Sequence, residues 1–352
     1  MANLTIRMPS DSSPESRFNL AMNVDVHAHY VPSGSLQMAA RIGARHGLEV
    51  HQNDRVEAIL LRDGKPFLTQ AKAEFTDLDL RLSIMDQQGV DMQALSPAGS
   101  YFFYWLPAVD ALEFARWLND RLGDAVAKFS QRFVALASVP LQDPVRGATE
   151  LERVVSGLGF PGAEIASNIN GRYLDDPALE PFWEAAQALD AVIFIHPNQV
   201  LGAERMKDYN LANLIGNPTD TSLAVAKLIF AGVLERFPRL KLLLAHAGGF
   251  LPYTLGRLDR GYAIQDSDKR KISKAPSDYV KLLYFDTITH SPMALDYLIS
   301  HFGAERVLLG SDYPYDMGDP EPLTSLSSSH LDPAQMQQVG GANACKLFHI
   351  GS

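Results

Sequence analysis

Residues 24–32 read "VDVHAHYVP", a short apolar run that contains two histidines, His27 and His29, one residue apart. Alternate residues of a strand share one face, so both imidazoles can reach one metal ion if this segment is extended. A His-X-His motif alone is more often incidental. On the motif alone, the simpler interpretation is that His27 and His29 are two polar residues where a strand meets a loop. The rest of the chain has to decide between this interpretation and a pair of metal ligands.

The pattern around this stretch recurs along the chain, as a short β-branched apolar run followed by a longer helical stretch. The predicted strands cover residues 22–29, 90–96, 132–139, 162–167, 191–196, 240–246, 282–287 and 306–312. Between them, residues 110–129 and 177–189 space apolar residues at three and four, and Pro238 closes a helix over 221–238. Alternation of this kind indicates a parallel sheet with crossover helices. Eight such units predict an α/β fold of the (β/α)8 TIM-barrel type, with a doubly wound sheet as the alternative.

One segment departs from this alternation, between the first and second predicted strands. Residues 48–69 alternate in polarity and contain Asp63-Gly64, which is typical of a type I′ hairpin turn. We predict a small β insertion over the barrel mouth, at about residues 33–75. A helix over 76–89 follows it, with Thr76 or Asp77 as N-cap. Residues 1–20 are predicted to form a flexible arm and residues 21–352 the barrel domain.

Composition excludes several classes of protein. The 352 residues are 46% hydrophobic and 20% charged, with a net charge of −10, so nucleic acid and anionic membranes are poor partners. No apolar run approaches the ~20 residues that span a bilayer, and the N-terminus does not resemble a signal peptide. Cys345 is the single cysteine and is predicted to pack within a helix, which agrees with a cytoplasmic location.

Histidines and one aspartate stand where predicted strands end. His27 and His29 end the first strand, His196 the fifth, His246 the sixth and Asp312 the eighth. The carboxyl ends of barrel strands share one mouth, where the active sites of such barrels lie. Imidazole and carboxylate groups suit Zn²⁺, and Mn²⁺ accepts the same donors. Three histidines, or three plus Asp312, would leave one position open for substrate, so the pattern predicts a catalytic metal site.

Other candidate residues carry weaker signals. His290 follows the seventh predicted strand, and a substrate contact and a structural role are equally open for it. Residues 101–105 read "YFFYW" and are predicted to line the pocket mouth or cover the core, which would suit a planar substrate. The remaining histidines are predicted to have surface or packing roles: His46, His51, His301, His330 and His349.

Several of these motifs together resemble the amidohydrolase superfamily, in its aminocarboxymuconate-semialdehyde decarboxylase-like branch. The resemblance extends from about Asn23 to Phe348 and includes "VDVHAHYVP", "FIHPN", "LLLAHAGGFLPYTLGR", "FDTITHSP" and "RVLLGSDYPYDMGDPEP". It implies a metal-dependent barrel that removes CO₂ from a small carboxylate without oxidation and without an organic cofactor. It also implies a homodimer.

The resemblance further implies roles for individual residues. His246 would be the catalytic acid/base beside the metal, together with Asp312. Arg257, in the "GGFLPYTLGR" stretch, would reach the substrate carboxylate of the neighbouring subunit. One Zn²⁺, or Mn²⁺, would be held by His27, His29, His196 and Asp312.

The chain departs from the branch at two substrate-facing positions. Asn198 follows "HP" where the decarboxylase that names the branch has tryptophan, and Leu68 follows Phe67 where it has arginine. A related substrate is therefore expected, namely a hydroxylated aromatic or heteroaromatic carboxylate that contacts Phe67 and Asn198. A hydrolase of C–C, lactone or amide bonds, or a hydratase, remains the alternative. A metal ion held by the same ligands would lower the pKa of its bound water to about 7.

Overall fold

The computed structural model describes residues 22–52, 58–69, 72–266 and 270–351. The predicted arm, residues 1–20, lies outside these ranges. In chain order the described strands are β1 (Val24–Tyr30), β2 (Leu48–Gln52), β3 (Ala58–Arg62), β4 (Lys65–Thr69), β5 (Met92–Pro97), β6 (Phe133–Ser138), β7 (Gly162–Ala166), β8 (Asn168–Ile169), β9 (Arg172–Tyr173), β10 (Val192–His196), β11 (Lys241–Leu244), β12 (Tyr284–Asp286) and β13 (Val307–Leu308).

Eight of these strands form one parallel sheet, in the order β1-β5-β6-β7-β10-β11-β12-β13. The backbone after β13 closes the sheet onto β1, because Val26 N donates to Leu309 O at 2.9 Å and His29 N to Tyr313 O at 2.7 Å. The predicted (β/α)8 TIM barrel is therefore confirmed. Most residues of these strands are apolar, and nearly all are buried on both faces, as expected of parallel barrel strands covered by helices.

Helices follow the barrel strands and cover the outside of the sheet. They are α1 (Ser35–Gly43), α2 (Ala73–Thr76), α3 (Leu78–Gln88), α4 (Ala108–Lys128), α5 (Pro144–Leu158), α6 (Glu180–Ala188), α7 (Asn217–Phe230), α8 (Val233–Arg236), α9 (Leu251–Ile264), α10 (Pro276–Val280), α11 (Pro292–Phe302), α12 (Pro322–Ser327), α13 (Pro333–Gln337) and α14 (Asn343–Leu347). Asp77 is the N-cap of α3 and accepts from Asp79 N and Leu80 N. Within the described ranges, no helix has the length and apolarity needed to cross a membrane.

Between β1 and β5 the chain forms a three-stranded antiparallel sheet, β2-β3-β4. Its second turn is Asp63-Gly64, where both residues have positive φ, at 52° and 73°. That conformation is the type I′ turn that an Asp-Gly pair favours, because glycine and aspartate tolerate the left-handed region. The small β insertion after the first strand is thus present.

Two predicted strands end earlier than the sequence suggests. β11 stops at Leu244 and β13 at Leu308, so His246 and Asp312 lie beyond the regular strands. Both residues have left-handed backbones, with φ of 55° and 59°, which interrupts the regular extended conformation at each of them. The prediction that these residues terminate strands is therefore wrong in detail. An apolar run in the sequence indicates which residues are buried, not which are paired in a strand. Here the buried segment continues past the last paired residue.

Candidate metal centre

The first two predicted ligands stand on β1, inside the barrel. His27 and His29 are fully buried, and their Nε2 atoms lie 3.1 Å apart. The pairing of β1 with β5 shifts register between Asp25 and Ala28, next to His27. Both imidazoles nevertheless share the interior face, as their i, i+2 spacing requires.

Asp312 meets both histidines from the opposite end of the sheet. Its Oδ1 lies 3.3 Å from His27 Nε2 and 3.1 Å from His29 Nε2, whereas its Oδ2 lies 3.4 Å from His246 Nε2. The position is set by the backbone, because Asp312 N donates to His27 O at 2.8 Å. The closure of the barrel therefore joins the first and last predicted ligands.

His196 and His246 complete the cluster. Their ring centroids are 5.3 Å apart, and His196 is 5.0 Å from the ring of His29. His196 Nε2 and His246 Nδ1 are buried and have no hydrogen-bond partner among the described residues, and neither does Asp312 Oδ1. A buried polar atom without a partner is costly, and several such atoms on the histidines and the aspartate of one cluster are typical of a metal site.

The distances fit a single divalent ion. Donors that lie ~2.1 Å from one tetrahedral ion are about 3.4 Å from each other, close to the spacings between His27, His29 and Asp312. The Nδ1 atoms of His29 and His196 each lie 3.0 Å from a backbone carbonyl, which leaves Nε2 as the donor to a metal. Ligand atoms of His27, His196, His246 and Asp312 also lie within 4.8 Å of one another, so His246 stands at the edge of the same cluster.

A carboxylate that the sequence analysis missed supports the cluster from behind. Asp286, at the end of β12, lies 2.7 Å from His27 Nδ1 and accepts from the backbone N–H groups of His246 (2.8 Å), Ala247 (2.7 Å) and Ile288 (3.0 Å). A carboxylate on the far nitrogen of a ligand imidazole orients the ring and raises its basicity. The signal was available, since Asp286 interrupts an apolar run four residues before His290.

Charges within the cluster shift its ionisation strongly. Burial lowers the pKa of His27, but the carboxylates of Asp312 and Asp286 outweigh burial and raise it to about 10. Burial raises the pKa of Asp312, and the surrounding imidazoles overcome this and hold it well below its usual range. Burial and the neighbouring imidazoles keep the pKa of His196 well below its usual value.

A second buried network fixes the backbone that carries these ligands. The Arg81 guanidinium is fully buried and donates to His29 O at 2.5 Å and to Gln93 Oε1 at 3.0 Å. Gln93 Nε2 donates to Asp25 Oδ2 at 2.9 Å, and Asp25 also accepts from Ser311 N and Oγ, at 3.0 and 2.6 Å. The network therefore ties β1 to β5 and to the segment that leads into Asp312.

Beside the cluster lies a cavity of about 570 Å³, large enough for a small aromatic molecule. His246, Asp312 and the predicted contact His290 line it, together with apolar residues such as Leu214, Phe250, Ile288 and Tyr297. His246 and Asp312 are therefore the members of the cluster that a ligand in this cavity can contact.

The other predicted substrate contacts lie elsewhere. Phe67 and Asn198 line a smaller pocket of about 200 Å³, together with Phe102 to Trp105 of the "YFFYW" stretch. Asn198 Nδ2 donates to Gly99 O at 2.9 Å, and the position of a Gly99 side chain would be 3.7 Å from His196 Nδ1, so this pocket adjoins the cluster. Arg257 is exposed on α9 and is not among the residues that line either pocket.

The barrel and its cluster of histidines and aspartate at the strand ends define a class of protein. Comparison with known families identifies that class. The family model described as "Amidohydrolase" matches residues 24–350, and the chain belongs to that family.

Three individual proteins that resemble the chain are all named as decarboxylases. A 2-amino-3-carboxymuconate-6-semialdehyde decarboxylase from Dictyostelium discoideum is 34% identical, over 94% of this chain and 92% of its own. The crystal structure of 5-carboxyvanillate decarboxylase from Sphingomonas paucimobilis has a TM-score of 0.81 at 28% identity, covering 94% of this chain and 99% of that one. A dihydroxybenzoic acid decarboxylase from Polaromonas, with bound manganese and the inhibitor 2-nitroresorcinol, has a TM-score of 0.77 at 27% identity, covering 94% and 98%.

Proposed function

We propose that this chain is a metal-dependent, non-oxidative decarboxylase of a small hydroxylated aromatic carboxylate. The observation that carries the proposal is the meeting of four donor side chains and His246 beside an apolar cavity. The relatives support it, because all three are named as decarboxylases and two of them as acting on carboxylated or hydroxylated benzene rings. The donors are His27, His29, His196 and Asp312.

One divalent ion completes the proposed site. Zn²⁺ suits the three imidazoles and one carboxylate, and Mn²⁺, which a structural relative holds, accepts the same donors. When bound, the ion acts as a Lewis acid toward the substrate carboxylate and a neighbouring oxygen. No organic cofactor is part of the proposal.

The residues of the chain have to move one proton. Loss of CO₂ from an sp² carbon leaves an electron pair, so that carbon is protonated before the C–C bond breaks. His246 Nε2 and Asp312 Oδ2 lie 3.4 Å apart and line the cavity, so the two groups can exchange a proton and pass it to the ring. His246 lines the cavity and faces Asp312 Oδ2, so His246 is the proposed donor.

The cavity supports an aromatic substrate. Its largely apolar lining suits the faces of an aromatic ring, and His246 and Asp312 supply polar groups in the same wall. We propose that His290 contacts the substrate in this cavity and that Phe67 and Asn198 shape the end next to His196. The exchange of tryptophan for Asn198 and of arginine for Leu68 sets this substrate apart from aminocarboxymuconate semialdehyde.

We also propose a homodimer in the cytoplasm. Arg257 is exposed and does not line its own cavity, as expected of a residue that serves the neighbouring subunit. The rim of the cavity supports an interface, because Tyr253 and Phe250 there are 88% and 40% exposed although both are large and apolar. The single cysteine agrees with a reducing compartment.

Isotope labelling tests the reaction. The metal-loaded protein is incubated with a panel of hydroxybenzoates and their methoxy and second-carboxylate derivatives, once in D₂O and once in H₂¹⁸O. The proposal expects CO₂ release and one deuterium at the carbon that carried the carboxylate. Uptake of ¹⁸O into the organic product, or no CO₂ from any substrate, contradicts it, and ¹⁸O uptake would favour the hydrolase or hydratase instead.

A further inference from the structure

Glu164 is a buried carboxylate that the proposed reaction does not use. It stands on β7 inside the barrel and is fully buried, and neither of its oxygens has a hydrogen-bond partner among the described residues. The hydroxyl of Ser96 lies close enough to lower the pKa of Glu164, but its oxygen is 3.3 Å from Ala28 O, to which it donates, and 3.4 Å from His29 Nδ1. A carboxylate in such a place is strongly destabilising unless positive charge stands close to it.

The groups that face Glu164 are two of the proposed metal ligands. Its Oε2 lies 3.8 Å from His29 Nδ1, and its Oε1 lies 3.9 Å from His196 Nδ1. In the strand pairing Glu164 stands opposite Phe194, two residues before His196, so it lies one layer deeper in the barrel than the metal cluster. The carboxylate thus sits behind both rings, on the side away from the metal position.

These three side chains are close enough to suggest a second ion, since their ligand atoms lie within 4.8 Å of one another. The hydrogen bonds argue against it. Each Nδ1 already lies 3.0 Å from a backbone carbonyl, Pro97 O for His29 and Pro197 O for His196, so these nitrogens carry hydrogens and have no lone pair to offer. Glu164 alone would remain as a ligand, and one carboxylate does not make a site.

We propose that Glu164 is a positioning residue of the metal centre, which balances the positive charge that a bound ion places on His29 and His196. Its carboxylate strengthens metal binding through the two imidazoles and does not touch the ion. This inference rests on the proposed metal site and is independent of the reaction that the site performs.

The test compares Glu164→Gln with wild type, with Glu164→Asp and with a matched control. The control is Glu150→Gln, because Glu150 is equally buried but accepts hydrogen bonds from Asn119 at 2.8 Å and Arg116 at 3.1 Å, on α5 far from the ligands. For each protein we would measure the Zn²⁺ dissociation constant by chelator competition, the Zn²⁺ stoichiometry, the Co²⁺ absorption spectrum and the unfolding temperature of the metal-free form.

The expected result separates a metal-centre role from a role in stability. Glu164→Gln should weaken Zn²⁺ binding by about 10- to 100-fold and alter the Co²⁺ spectrum, with the metal-free protein unfolding no earlier than wild type. Glu164→Asp should keep most of the affinity, because it keeps the charge. Glu150→Gln should lower the unfolding temperature and leave the dissociation constant unchanged.

Other outcomes overturn the proposal. They are unchanged Zn²⁺ affinity in Glu164→Gln, a metal-free variant that unfolds earlier or fails to fold, and two ions per wild-type chain of which the variant loses one. A wild-type protein that binds no divalent ion at all would instead reject the proposed metal site itself.

Discussion

The two carboxylate oxygens of Asp312 face different histidines. Oδ1 faces the two histidines of β1, and Oδ2 faces His246. Asp312 can therefore serve both as a proposed metal ligand and as the partner that positions His246, the proposed proton donor. His196 and His246 are similar in sequence context, each following an apolar run, but His246 stands on a left-handed turn at the cavity wall. Their substitution should separate metal binding from proton transfer.

His196→Ala should lose bound metal and activity together, because it removes a ligand atom. His246→Ala should keep nearly one ion per chain and lose about 10²- to 10⁴-fold in kcat, the contribution expected of a general acid. Metal content by elemental analysis and CO₂ release on the same samples check this. If His246→Ala loses metal as completely as His196→Ala, then His246 is a ligand and its proposed role is wrong.

Asp286→Asn should weaken metal binding by about 10- to 100-fold, since His27 loses the carboxylate at its Nδ1. The amide has nearly the same size, so the barrel should still fold. Chelator competition measures the affinity, and circular dichroism reports the fold. Asp296→Asn is the control, because Asp296 contacts the exposed His330 outside the barrel. Equal affinities in the two variants would refute a role for Asp286 at the metal.

At the level of elements, the ligands depend on how three segments are tied together. α3 contributes Arg81, β5 contributes Gln93 and β1 contributes Asp25, and this network ends on the backbone of His29 and on Ser311. The guanidinium has no carboxylate in direct contact among the described residues. Arg81 therefore contributes through the planar array of N–H donors on its guanidinium rather than through an ion pair.

Arg81→Lys should reduce the free energy of unfolding by about 2–4 kcal/mol, because an ammonium cannot reach His29 O and Gln93 Oε1 together and leaves a buried acceptor unpaired. Urea unfolding of the metal-free protein measures the loss. Arg132→Lys is the matched control. Arg132 also donates to a backbone carbonyl, Asp91 O at 2.7 Å, but its side chain is partly exposed. Comparable losses of unfolding free energy in the two variants would show that the burial of Arg81 does not increase its contribution to stability.

For the whole molecule, the proposed dimer predicts complementation between inactive subunits. Arg257→Ala should lack the arginine that the neighbouring site needs, and His246→Ala should lack its own proton donor. In a mixed dimer the site with an intact His246 receives Arg257 from its partner. Each mixed dimer should therefore regain one working site.

The two variants would be unfolded, mixed and refolded, and CO₂ release compared with that of each variant alone. Light scattering would establish the assembly in each sample. Recovery of a substantial fraction of wild-type activity is expected. No recovery from confirmed mixed dimers, or full activity of a protein that stays monomeric, would contradict the proposed role of Arg257.

The sequence by itself determined the barrel, the insertion and the candidate ligands. These follow from local properties, since strand and helix periodicity, the Asp-Gly turn and residues near strand ends are visible without contacts. Glu164 and Asp286 were also visible as acidic residues inside apolar runs, but nothing local says what such a residue faces. Even the ends of β11 and β13 were misplaced, because burial continues past the last paired residue.

Only the tertiary structure decided which atoms meet. The closure of β13 onto β1 places Asp312 between His246 and the two histidines of β1, although most of the chain separates Asp312 from His27 and His29. The fold also puts Asp286 and Glu164 behind the rings of the proposed ligands, and it places Phe67 and Asn198 in a pocket apart from His290. The physical reason is that convergence and charge balance depend on distances through space, which no spacing along the chain encodes.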